Sequence, residues 1–127
     1  MEETKKILII EDNPDIQEML RDFLRIYGFE SEGVFAGYEA LNIIKEKKYD
    51  LYIIDYDLSD INGFEVYKKL RIVDGSAPVI FYTAFTGLVS TRTNGIDDPN
   101  RYIFPKTSSP EELIRKIETL LGKNSSG

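Results

Sequence analysis

The sequence predicts an α/β fold, a doubly wound parallel sheet with helices on both faces. Short apolar runs recur along the chain, among them "ILII", "LYII" and "VIFY". Segments with apolar residues at helical spacing lie between them, and no repeat or internal linker interrupts the alternation. Strands covered by helices on both faces read as continuous apolar runs rather than as alternating ones. Alternating strands and helices therefore imply a parallel sheet.

Each element has its own signal. "KKILII" (5–10) is a buried strand by length and composition. In "NPDIQEMLRDFLRIYG", Asn13 suits a cap, Pro14 the first turn and Gly28 the stop. Ile16, Met19, Leu20, Phe23, Leu24 and Tyr27 form its apolar stripe. "ESEGVF" is a weaker strand. "GYEALNIIKEKK" reads as a second helix with Ala40, Leu41 and Ile44 inward. "DLYIID" is a second clear strand, and "GFEVYKKLRIV" a third helix through Phe64, Val66, Tyr67 and Leu70. "PVIFYT" follows as a strand.

Residues 84–100 are harder to form as a helix. Gly87 and Gly95 cost backbone entropy, Ser and Thr compete for backbone hydrogen bonds, and Pro99 blocks continuation. A short or irregular helix is expected there. "RYIF" is a short strand. "SPEELIRKIETLLG" is a final helix with Ser109 as cap, Pro110 in the first turn, Glu111 and Glu112 at the positive dipole end, and Gly122 as stop. One domain is expected over 1–122, with 123–127 a disordered tail or vector-derived remnant.

Composition removes several function classes. With 16 basic against 22 acidic residues the net charge is −6, which disfavours direct nucleic-acid binding. Cysteine and histidine are both absent, so disulfides, thiolate or imidazole metal sites and Ser–His or Cys–His nucleophile pairs are excluded. No apolar run reaches membrane-spanning length, and "MEETKK" does not read as a signal peptide. The expectation is a soluble, cytoplasmic protein.

Right-handed crossovers put the C-terminal ends of all parallel strands on one edge, where doubly wound sheets bind ligands. The first strand delivers Glu11 and Asp12 there, the third Asp55, the fourth Thr83 and the fifth Lys106. Any of these alone has an ordinary explanation: a solvated cap, a turn acid, a β-branched strand residue, a surface lysine. Together they have a chemistry. Packed carboxylates repel unless a cation joins them. All-oxygen ligands suit Mg²⁺, and a carboxylate is a competent nucleophile toward phosphorus. A metal, a lysine and a hydroxyl then supply the charge neutralisation that phosphoryl transfer needs.

The ordered set "EDNPD", "IID", "TA" and "PK" at successive strand ends resembles the receiver domain of two-component response regulators, over roughly residues 5–122. The resemblance implies a flavodoxin-like sheet in the order 2-1-3-4-5. It implies Asp55 as phosphoacceptor, Glu11 and Asp12 as the acidic pair for Mg²⁺, and Asp55 with the backbone carbonyl of Asp57 as further metal ligands. It implies Thr83 as switch hydroxyl and Lys106 as the phosphoryl-binding lysine, with Gly63 the glycine of the following loop. It also implies a histidine kinase or phosphotransfer protein as donor, and output to a downstream protein or effector domain through the fourth helix, fifth strand and fifth helix. A homodimer on activation fits the same pattern. The chemistry is self-phosphorylation and self-dephosphorylation only, not turnover as an enzyme.

The chain departs from that family's pattern in places. Ser59 stands where proline is common, and Asp57 is acidic where a neutral side chain is frequent. Thr107, not proline, follows Lys106. Ile103 stands where a switch aromatic is common, with Tyr102 one position earlier. Two other readings fit the same sequence. One is a phosphorylation-independent pseudo-receiver that only docks partners. The other is a haloacid-dehalogenase-type phosphatase using Asp55 and Asp57 of "DYDLS".

Overall fold

The computed structural model describes residues 4–122. The expected tail, 123–127, lies outside the described residues. Among the described residues ten elements alternate strictly: β1 (Lys6–Ile10), α1 (Pro14–Ile26), β2 (Glu30–Val34), α2 (Gly37–Glu46), β3 (Leu51–Ile54), α3 (Gly63–Val73), β4 (Val79–Thr83), α4 (Thr86–Thr93), β5 (Arg101–Pro105) and α5 (Pro110–Leu121). The strands form one parallel sheet in the order β2-β1-β3-β4-β5.

The apolar runs are continuous because the sheet is buried on both faces. Successive side chains of a strand point to opposite sides. Ile7 and Ile9 of β1, Leu51 and Ile53 of β3, and Ile80 and Tyr82 of β4 pack with Leu20, Leu24, Leu113 and Ile117 of α1 and α5. Leu8, Ile10, Tyr52, Ile54, Val79 and Phe81 pack on the other side with α2 and α3 through Ala40, Ile44, Val66, Tyr67 and Leu70. Ile103 joins this second side and Tyr102 the first, beneath the Lys116 ammonium at 4.4 Å. The aromatic one position early is thus on the opposite face of the sheet.

The helix ends follow the sequence signals. Asn13 Oδ1 accepts from the amides of Asp15 and Ile16, and Ser109 Oγ from that of Glu112. Gly28 and Gly122 both take positive φ, at 87° and 71°. The second helix stops at Glu46, so Lys45 lies in its last turn while Lys47 and Lys48 of the expected segment lie beyond it. The fourth is a single eight-residue helix with weak amphipathicity, and only Val89 and Thr93 are buried. No helix among the described residues is long and apolar enough to cross a membrane.

Candidate phosphoacceptor site

The C-terminal edge of the sheet assembles the site. The turn after β1 is held from inside. The Glu11 amide donates to Val34 O at 3.1 Å, which extends the β1–β2 pairing past the strand end. Gln17, a buried polar residue within the α1 stripe, donates Nε2 to both Glu11 O and Val34 O at 3.0 Å. With the backbone fixed, the Glu11 carboxylate turns inward. Its Oε2 accepts from the Asn13 amide at 3.0 Å and its Oε1 meets Lys106 Nζ at 2.7 Å.

Asp55 is positioned by β3. Its amide donates to Ile10 O at 3.0 Å, and its carboxylate is buried. Oδ2 accepts from Lys106 Nζ at 2.7 Å and Oδ1 from the Asp57 amide at 3.2 Å. Lys106 thus spans two buried acids. Its own position is set by β5, because its amide donates to Thr83 O at 3.1 Å. Thr83 is fully buried, and its Oγ1 accepts from the Phe85 amide at 3.1 Å. No peptide bond among the described residues is cis, and Lys106 reaches the acids with Thr107 following it.

Burial raises the Glu11 carboxyl above its ordinary value, and the neighbouring Asp55 charge adds to this against the hydrogen bonds from Lys106 and Asn13. Burial works the other way on Lys106, but hydrogen bonds and charge from Asp55 and Glu11 outweigh it and hold the ammonium charged. One oxygen each from Glu11, Asp12 and Asp55 lies within 4.8 Å of the other two. Three carboxylates against one ammonium leave the cluster negative, and an all-oxygen donor set of this kind fits a hard divalent cation. The expected residues Glu11, Asp12, Asp55, Thr83 and Lys106 all meet at this edge. Asp57 is exposed on the loop beyond it.

Gly63 explains how the loop after Asp55 closes. Its amide donates to Tyr56 O at 2.8 Å, and a Cβ at this position would lie 2.2 Å from Asp55 O. That neighbour is backbone and cannot swing away. Gly63→Ala is expected to cost about 2–3 kcal/mol, at the upper end of overpacking penalties. Urea unfolding measures it, and an unchanged midpoint would show that the loop does not approach so closely.

Sequence reasoning missed Gln17 and the hydrogen bonds of Asp60. The signal for Gln17 was a lone amide within an apolar stripe. Asp60 carried none, because its partners are backbone amides of another element.

Residues 7–118 match the family model of the response regulator receiver domain. The DNA-binding response regulator MtrA of Mycolicibacterium smegmatis is 32% identical over 123 residues, covering 94% of this chain and 52% of that protein. The chain therefore spans about half the length of the curated relatives it matches. Among solved structures, the response regulator protein TrrA of Thermotoga maritima, in complex with Mg²⁺–BeF, superposes with a TM-score of 0.82 at 32% identity, over 93% of this chain and all of that one. The receiver domain of a sensor histidine kinase from Pseudomonas aeruginosa, with magnesium in its active-site cleft, gives 0.81 at 25% identity over 95% of this chain and 100% of its own. With the strand order, the convergent strand ends and these matches in agreement, the chain belongs to the response-regulator receiver domain family.

Proposed function

We propose that Asp55 is the phosphoacceptor of this receiver domain and that Mg²⁺ binds beside it. The observation that carries the reading is Lys106 Nζ at 2.7 Å from both Asp55 Oδ2 and Glu11 Oε1, on the ligand-binding edge of the sheet. An Asp55 oxygen attacks phosphorus, the bond from phosphorus to the donor breaks, and the leaving group takes the electron pair. Lys106 moves its charge from carboxylate to phosphoryl oxygen. Thr83 supplies a hydroxyl at the neighbouring strand end. Glu11, Asp12, Asp55 and the carbonyl of Asp57 would hold the metal, which offsets repulsion between acids and incoming phosphate.

The donor is a histidine kinase or phosphotransfer protein, and the setting is the cytoplasm. The chain carries out self-phosphorylation and self-dephosphorylation without turning over a separate substrate. Output passes to a downstream protein or effector domain through α4, β5 and α5, where Phe85, Leu88 and Ile96 are exposed. The relatives named as DNA-binding are about twice as long. DNA contact is assigned to the remainder of such proteins rather than to this acidic domain, and a homodimer on activation supplies the pairing.

Acetyl phosphate with Mg²⁺ tests the reading. One acid-stable, base-labile phosphoryl group is expected by mass spectrometry, lost on chelation. Beryllofluoride with Mg²⁺ is expected to shift the amide resonances of Asp55 and Thr83 and to slow hydrogen exchange in α4. No uptake and no shift would leave a domain that docks partners without phosphate.

A further inference from the structure

Helix α2 starts badly on its own. Its N-cap is Ala36, which has no side-chain acceptor, and no cap hydrogen bond comes from that residue. The first amides of a helix have no partner within it. Here they find one across the edge of the sheet. Asp60, in the loop after the phosphoacceptor, accepts from the Gly37 amide on Oδ1 and from the Tyr38 amide on Oδ2, each at 2.8 Å. The same carboxylate accepts from the Ile61 amide at 2.8 Å, which orients it within its own loop.

The packing is as close as the hydrogen bonding. A Cβ on Gly37 would lie 2.4 Å from Ile61 Cγ1 and 3.2 Å from Asp60 Oδ1. The lack of a side chain at Gly37 is what lets the loop seat on the helix. Ile61 is partly buried and packs on the core face shared by α2 and α3. Both sides of the contact are thus committed: Gly37 leaves room for Ile61, and Asp60 takes the amides that Ala36 leaves free.

This loop carries the geometry of the site. It leaves β3 at Asp55, whose carboxylate accepts from the Asp57 amide at 3.2 Å, and returns at Gly63, whose amide donates to Tyr56 O at 2.8 Å. Those bonds close the loop at its root. Asp60 ties its middle to a different element. Directly before it stands Ser59, which lends no backbone stiffness of its own.

We infer that Asp60 is a positioning residue: by capping α2 across the sheet edge, it holds the loop after Asp55 in the conformation that presents the Asp57 carbonyl to the acidic site. The inference rests on the proposed metal site for its consequence, but the clamp itself is a separate structural claim. It couples the phosphoacceptor loop to the start of α2, where Phe35 and Tyr38 are exposed beside it. A change at the site therefore reaches a second surface, away from α4.

Two measurements on Asp60→Ala and Asp60→Asn separate the claims. In Asp60→Ala the amides of Gly37 and Gly63 are expected to exchange roughly fivefold faster relative to those of β1, the equivalent of one lost cap. Mg²⁺ affinity, followed by amide shifts, is expected to fall by a similar factor. Asp60→Asn keeps one acceptor oxygen and is expected to fall between the two. Faster exchange at Gly37, with Gly63 exchange and Mg²⁺ affinity unchanged, would overturn the inference and leave Asp60 a helix cap only. If the unaltered chain binds no Mg²⁺, the proposed function fails, and Gly63 exchange alone still decides whether Asp60 holds the loop.

Discussion

Asp55→Asn is expected to take up no phosphoryl group from acetyl phosphate while folding at least as stably as the unaltered protein. The first half follows from chemistry. An amide has no charged oxygen to attack phosphorus, and the other buried acid of the site, Glu11, is held by Lys106 and the Asn13 amide. The second half follows from charge. Glu11, Asp12 and Asp55 crowd one edge with a single ammonium among them. Asparagine keeps one acceptor oxygen, for Lys106 or for the Asp57 amide but not for both, and it removes one negative charge from a cluster held together against repulsion. A gain of up to about 1 kcal/mol is expected, since such sites trade stability for function. Labelling that survives the change would place the acceptor elsewhere. A loss of stability would mean that the Asp55–Lys106 attraction outweighs the repulsion among the acids.

The site was legible because topology does the gathering. Glu11, Asp12, Asp55, Thr83 and Lys106 are far apart in the chain, yet each follows an apolar run, and a parallel sheet sends all such ends to one edge. The runs are unambiguous because β1, β3 and β4 are buried on both faces. The edge strand β2 is half exposed and polar, which is why "ESEGV" was the weakest of the strand signals. Helix α4 was legible in the opposite sense. Gly87 and the Ser and Thr residues around it resist a long helix, and the structure forms only Thr86–Thr93.

What was hidden shares one property. Gln17, Asp60 and Asp98 bond to groups that no sequence pattern marks. Gln17 reaches the carbonyls of Glu11 and Val34, and Asp60 the amides of Gly37 and Tyr38. Asp98 falls in the segment with the poorest pattern of all, and its partners lie on α3, 27 and 31 residues earlier. Backbone carbonyls and amides are the same whatever the side chain above them. Periodicity can place a residue on a face, but it cannot say which amide or which distant guanidinium that face meets.

Asp98→Asn is expected to cost the largest share of stability of any single polar change in the domain, about 3 kcal/mol near neutral pH, the range for breaking a buried ion pair. Asp98 Oδ2 accepts from Arg71 Nε at 2.7 Å and from the Tyr67 hydroxyl at 2.5 Å, and Oδ1 from the Asn100 amide at 3.0 Å. The Asp98 and Arg71 side chains are only 8% and 15% exposed. Arg71 also donates Nη1 to Ala77 O at 2.7 Å, so it cannot leave to find water when its acid is removed. Arg101 completes the cluster by donating to the Tyr67 hydroxyl at 3.0 Å. Together these bonds pin the connection between α4 and β5 against α3. Burial would raise the Asp98 carboxyl, but hydrogen bonds from Arg71, Tyr67 and Asn100 and the Arg71 charge bring it from 3.8 down to about 2. A lowered carboxyl contributes its stability in full above its unfolded value and loses it as pH falls through the folded one. That contribution is about 2.4 kcal/mol at neutral pH. The stability gap between the unaltered protein and Asp98→Asn is therefore expected to narrow by about 1 kcal/mol between roughly pH 7 and pH 3. Urea unfolding across that range measures it, and a gap that stays constant with pH would show that Asp98 is not held ionised by this cluster.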